Sequence, residues 1–309
     1  MKPLKFFIVF VLLCSFAPSP KAVKLQYTFA VGDQYEWVQT TTQTVKQSIM
    51  GMDQLVENNI KGSMSFKVTS LTSTGAVLEV RYISLSMAMK LPGGMGSQAL
   101  DSDGDQEKTE NKVMKALIDK PFSITLTKQG VVESIENEEN LWSGLSSLGL
   151  SEQQLASMKT NLEQSLSENA LKSSFELVLT NYPEKPVKAG DTWKNSVGTG
   201  SSFPLITDNT WSFVNAISEN ANLTATGTTT TTDKQKVVNL PNGIKSTFDL
   251  GGTQKQTSTV NIKSGWPSVV SVNSEIKGTM NLLAGGVIPQ DMQVPMTINT
   301  VSEYKITKK

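Results

Sequence analysis

The sequence predicts an α+β fold, mostly antiparallel β: a strongly curved half-barrel or clam-like arrangement of about a dozen strands covered by a short helical segment. Three observations carry this expectation. First, the only long stretch with helical periodicity is residues 138–182, where Leu155, Met158, Leu162 and Leu166 recur at spacings of three and four and so share one helix face. Second, the strands beyond it are separated by short turn-forming groups. Connections of that length make neighbours antiparallel, because a parallel crossover needs a dozen or more residues. Third, Ala76, Leu78, Val80 and Tyr82 alternate in one phase, whereas Ile83, Leu85, Met87 and Met89 alternate in the other. A period-2 pattern changes phase where a strand bulges, twists strongly or is covered on both faces, and strong curvature is the reading adopted.

Within the helical island, Ser151 followed by Gln154 is a capping-box start. Ser167 is placed as a second N-cap before Leu171, Phe175 and Val178, and Pro183 ends the segment.

The first residues carry a different signal. Lys2 and Lys5 precede an apolar run from Phe6 to Ala17, too short to span a bilayer and suited to an export signal ending near residue 22. Cys14, the sole cysteine, lies inside it. Removal with the signal and acylation as a lipoprotein both stay open, although Leu13 stands where lipoprotein signals place a small residue. The expected division is a signal peptide (1–22), an N-terminal β array with one helix (23–136), the helical segment (137–183) and a C-terminal β array (184–309). Residues 23–309 as one continuous domain is the alternative. The expected location is the periplasm, the outer membrane periphery or the exterior.

The N-terminal array opens with Val31-Gly32-Asp33 before Tyr35 and Trp37, then a Thr-rich strand with one wet face. Met64, Phe66 and Val68 alternate on the next strand. After a glycine cluster at 93–96 comes an acidic loop in which Asp101, Asp103 and Asp105 are spaced as in the start of a calcium loop. Gln106 and Lys112 stand where that motif needs glycine and glutamate, so a solvated loop leading into a helix at 107–118 is preferred and the three aspartates are weak metal candidates. A hairpin follows, residues 122–126 and 131–135. Past the helical island, Gly190-Asp191-Thr-Trp193 echoes Gly32-Asp33-Gln-Tyr35, through either duplicated halves or one turn used twice. Later strands are expected at 209–217, 222–232, 235–239, 244–250, 253–263, 269–280 and 290–306, with Gly251-Gly252 read as a hairpin turn.

Composition excludes much chemistry. Lys plus Arg and Asp plus Glu are 28 each, and Arg81 is the one arginine. The chain therefore lacks both the net field and the guanidinium forks of nucleic-acid recognition. It contains no histidine, which removes Ser-His-Asp and Cys-His catalysis and nearly all zinc sites. Asp33, Asp101, Asp103, Asp191, Glu136 and Glu138 could in principle serve as paired carboxylates, but nothing sets two of them across a substrate. No enzyme and no cofactor are expected. Met50, Met52, Met64, Met87, Met89 and Met95 cluster in one region. Core filling, lining of an apolar cavity and copper(I) ligation are the three uses weighed.

The segments VGDQYEW, DSDGD, KPFSITLTKQGVVESIE, PVKAGDTW and TVNIKSGWPSVV resemble those of a family of uncharacterised exported bacterial envelope proteins, catalogued as a domain of unknown function. The resemblance implies envelope residence and a β-rich fold; it carries no activity. From the predicted architecture, the expected role is a non-catalytic envelope protein that binds an apolar or amphipathic ligand, lipid or lipoprotein, in a β-clam. Met64, Met87, Met89, Leu155, Met158 and Leu162 are the candidate cavity lining. The alternative is a structural or protein- and glycan-interaction module with a filled interior.

Overall fold

The computed structural model describes residues 22–309 except 50, 93–95, 199–202, 241–242 and 287, and in the second helix it describes backbone alone at 157 and 160–165. The expected signal with Cys14, together with Met50, Met95 and part of the glycine cluster, lies outside the described residues. The strands are β1 (Gln34–Ile49), β2 (Met52–Leu71), β3 (Gly75–Lys90), β4 (Ser97–Asp101), β5 (Phe122–Thr127), β6 (Val132–Glu136), β7 (Thr192–Gly198), β8 (Leu205–Ile217), β9 (Asn220–Thr231), β10 (Val238–Asn239), β11 (Lys245–Asn261), β12 (Pro267–Leu282) and β13 (Met292–Lys308). The helices are α1 (Thr109–Ala116), α2 (Glu152–Leu166) and α3 (Glu168–Val178), with two 3-10 turns before α2. Among the described residues no helix is long and apolar enough to cross a membrane.

All the strands belong to one open, curved antiparallel sheet with the order β6-β5-β3-β2-β1-β13-β12-β11-β9-β8-β7, while β4 pairs with β3 and β10 with β11. The two arrays meet where β1 pairs with β13, from Tyr35 opposite Lys308 to Gln47 opposite Met296. The outer edges of this path, β6 and β7, are the strands that flank the helical island in sequence, so the helices connect one margin of the sheet to the other. α3 packs against both.

The phase change in β3 has a local cause. Ser63 pairs with Ser84 but Met64 pairs with Tyr82, so Ile83 is an extra residue, 45% exposed. That bulge keeps Leu85, Met87 and Met89 on the face of Leu78, Val80 and Tyr82, and it bends the strand. On the opposite wall, Gly251-Gly252 does not turn the chain: β11 runs straight through. A Cβ on Gly252 would lie 2.1 Å from the Glu275 carbonyl oxygen, and one on Gly278 would lie 2.0 Å from that of Asp249. These glycines let β11 and β12 approach closely as the sheet coils, the use of a mid-strand glycine that looks in sequence like a hairpin signal. The Gly-Asp echo is a repeated turn. Gly32 N–H donates to the Val68 carbonyl and Val68 N–H to that of Asp33; Gly190 N–H donates to the Phe213 carbonyl and Phe213 N–H to that of Asp191.

The main core lies between the sheet and α3. Trp37, Phe66, Phe122 and Phe175 are each at most 2% exposed, and the Phe175 ring sits 6.1, 5.8 and 6.3 Å from the rings of Trp37, Phe66 and Phe122. Tyr27, Tyr35 and Trp266 extend it, and burial pushes the Tyr35 phenol up to about 12, with the Asp33 carboxylate adding to the effect. The capping box of α2 forms: Ser151 N–H donates to Gln154 Oε1 at 3.0 Å and Gln154 N–H to Ser151 Oγ at 3.3 Å. Ser167 occupies the N-cap position of α3, but its hydroxyl makes no capping bond.

Also on α3, burial raises the Glu176 carboxyl above its usual range, against the opposing pull of Lys172 and the Val132 amide. A carboxyl raised in the folded state stabilises the fold in its protonated form, and that contribution is lost as pH rises through the folded-state value. Glu176→Gln is therefore expected to raise the melting temperature at pH 7 and to leave it unchanged below the ordinary glutamate range. An equal shift at both pH values would show that protonation is not the cause.

Candidate functional site

Because directly paired residues in an antiparallel sheet share a face, the pairing register maps the inner wall, the face on which α3 lies. Outside the helical roof that wall carries a second apolar cluster. Leu205, Phe248, Leu250 and Met296 are buried, with Val45, Ile276, Met280 and Ile298 packed against them and partly exposed. Ile298 pairs with both Val45 and Ile276, so the three form one transverse row across β1, β13 and β12. Towards the other margin the wall continues through Val56, opposite Val45, and through Ile60 and Met87, which face each other.

Between this cluster and the roofed core runs a polar row. Following the pairs from β2 to β7 gives Asn58, Gln43, Thr300, Ser274, Gln254, Gly227, Asn209 and Asn195. Asn58 Nδ2 donates to Gln43 Oε1 at 3.1 Å, Gln43 Nε2 to Thr300 Oγ1 at 3.4 Å, and Trp211 Nε1 to Asn195 Oδ1 at 2.9 Å. The adjacent rows add Thr41 bonded to Ser302 at 2.9 Å and Thr207 bonded to Thr229 at 2.8 Å, all four buried.

The wall is also uncharged. On β1–β4, β7–β9 and β11–β13 the Asp, Glu, Lys and Arg side chains fall on the outward set, as with Lys46, Glu57, Arg81, Asp208, Lys255, Glu275 and Glu303. The exception is Lys308 at the rim, whose ammonium pairs with Asp33 at 2.7 Å and lies over the Tyr35 ring. Burying an unpaired charge is costly, so the strict segregation keeps the interior free of ionised groups.

The sequence-predicted lining residues fall in different places. Met64 is 7% exposed within the filled core, opposite Trp37. Met87 and Met89 are partly exposed on the inner wall, Met87 beside Ile60 and Met89 at the end of the polar row beside Asn58. Leu155 and Met158 are partly exposed on α2, where Met158 borders a 420 Å³ surface pocket with Thr109, Leu150, Gln153 and Gln154. The side chain of Leu162 lies outside the described residues. The polar row and the Phe248 cluster were not singled out in the sequence, because each draws on strands far apart in the chain.

The acidic loop is tied up in its own structure. Asp101 Oδ1 accepts from the Asp103 amide and Asp105 Oδ1 from the Glu107 amide, while Asn111 bridges the Asp101 amide and the Asp105 carbonyl. Asp103 lies 3.3 Å from the Lys115 ammonium. Among the described residues no group of three His, Cys, Asp or Glu could hold a metal ion.

No curated protein matches this chain. Among solved structures, a lipovitellin determined for its lipid–protein interactions aligns at 9% identity and TM-score 0.47 over 91% of this chain and 25% of its own, so this chain spans about a quarter of that protein. An outer membrane channel from Pseudomonas putida F1 aligns at 7% identity and TM-score 0.27, covering 91% and 97% of the two chains. OccK7 (OpdD) of Pseudomonas aeruginosa gives 6% and 0.24, covering 91% and 100%. Likeness at these scores carries no functional information. The model of a family of unknown function, DUF6263, matches residues 73–267, more than half of the sequence, and the protein belongs to that family.

Proposed function

We propose that the chain is an exported, non-catalytic envelope protein that holds a neutral amphipathic ligand, of lipid or lipoprotein type, against the inner wall of its sheet. The observation that carries this reading is the apolar zone around Val45, Ile276 and Ile298: it lies on the inner face, bears no charge, and stays partly exposed outside the α3 roof. A folded chain gains by covering such a surface, at about 0.8 kcal/mol per buried methylene. About ten methylenes laid there would contribute on the order of 8 kcal/mol gross, which after the cost of association corresponds to micromolar or weaker binding. Export is supported by the Lys2, Lys5 and apolar pattern of the first residues.

The filled aromatic core beneath α3 favours a second reading, a structural or interaction module whose inner wall holds nothing. Protein purified from its own envelope separates the two. Solvent extraction followed by mass spectrometry is expected to release neutral acyl species in amounts comparable to the protein, whereas folded protein that releases none supports the interaction module.

A further inference from the structure

We infer that the polar row across the inner wall is a subsite for the uncharged hydrogen-bonding group of the ligand, a hydroxyl- and ester-bearing head such as that of a monoacylglycerol; this rests on the ligand-holding reading above. The row has the composition of a recognition surface for neutral groups: amides and hydroxyls, with no carboxylate or ammonium among its members, the one inward charge on its strands being Lys308 at the far rim, paired with Asp33. Three of its members have unmet hydrogen-bonding capacity, Asn58 at its Oδ1 on β2 and the two that concern the subsite, Asn209 and Gln254. Asn209 is 4% and Gln254 5% exposed, yet Asn209 Oδ1 and Gln254 Nε2 have no partner. Gly227, paired with both, separates them in the row. A Cβ there would stand 2.4 Å from Asn209 Oδ1, 2.7 Å from Thr207 Cγ2 and 3.4 Å from the Gln254 Cβ, so the glycine lets the Asn209 amide lean across its backbone toward the Gln254 strand.

An unpartnered acceptor and an unpartnered donor on the strands either side of Gly227 match a hydroxyl, which donates to one and accepts from the other. The apolar cluster lies next to the row, Gly252 and Thr229 being the inward neighbours one step along β11 and β9. A head on the row thus leaves its chain on the Ile276 and Ile298 side. An anionic head would meet no cation there and would lose its hydration without compensation.

The test uses the mature chain loaded with the neutral dye N-phenyl-1-naphthylamine and displaced by 1-monooleoylglycerol or by oleate, which share one acyl chain. Monooleoylglycerol is expected to displace the dye at a concentration about tenfold lower than oleate. The near-isosteric pair Asn209→Leu and Gln254→Met is expected to erase that difference while leaving the melting temperature equal or higher, since each removes a buried unpartnered atom. Equal displacement by the two lipids, or an unchanged preference in the folded double variant, overturns the inference and leaves the wider reading standing. A chain that takes up neither dye nor lipid overturns both.

Discussion

Phe175→Ala is expected to destabilise the fold by about 3–5 kcal/mol, the range for emptying a buried aromatic site. The ring is 2% exposed, and it is the point at which α3 meets Trp37 on β1, Phe66 on β2 and Phe122 on β5. Aromatic pairs at such separations add to simple area burial, so three partners are weakened by one truncation. The loss is a large part of the roughly 5–15 kcal/mol that holds a typical domain together. It also loosens the element that connects the β6 and β7 margins, so a marked fall in the urea midpoint should accompany earlier exchange of the α3 amides. A change below about 1 kcal/mol would show that α3 is not a structural part of the core.

Much of the architecture is readable from local pattern. The change of phase after Tyr82 announces curvature, and the bulge at Ile83 is its physical form. The capping pair Ser151 and Gln154 and the apolar face of α3 likewise follow from spacing alone. What misleads is a signal with two physical meanings. Gly251-Gly252 flanked by alternating residues reads as a turn, yet in a strongly coiled sheet the same glycines admit a neighbouring backbone. The first half of β2 carries Asp53, Glu57, Asn58 and Asn59 and gives little periodic signal, because its stability comes from pairing with β1 along its length.

The candidate site is less legible for a related reason. Periodicity assigns residues to a face within one strand but does not say which residues of different strands line up, and that register is set by the whole sheet. Met87 and Met89 could be picked out because apolar residues announce themselves. The row joining Asn58, Gln43, Gln254 and Asn209 could not, since each of its members looks in sequence like the wet face of a Thr- and Gln-rich strand.

The second large effect concerns binding. Ile298→Lys would place an ammonium in the middle of the apolar row between Val45 and Ile276, where no carboxylate faces it. Asn299→Lys, one residue along the same strand, would place the same charge on the outward face opposite Glu275 and Thr44, where it is solvated and near an opposite charge. Composition and net charge are then the same within a single side-chain position, and only the face differs. The direct measurement is uptake of N-phenyl-1-naphthylamine by the two folded variants and the parent chain. Ile298→Lys is expected to weaken it at least about tenfold, roughly 1.4 kcal/mol, with Asn299→Lys indistinguishable from the parent. Equal uptake by all three chains would contradict a ligand on the inner wall.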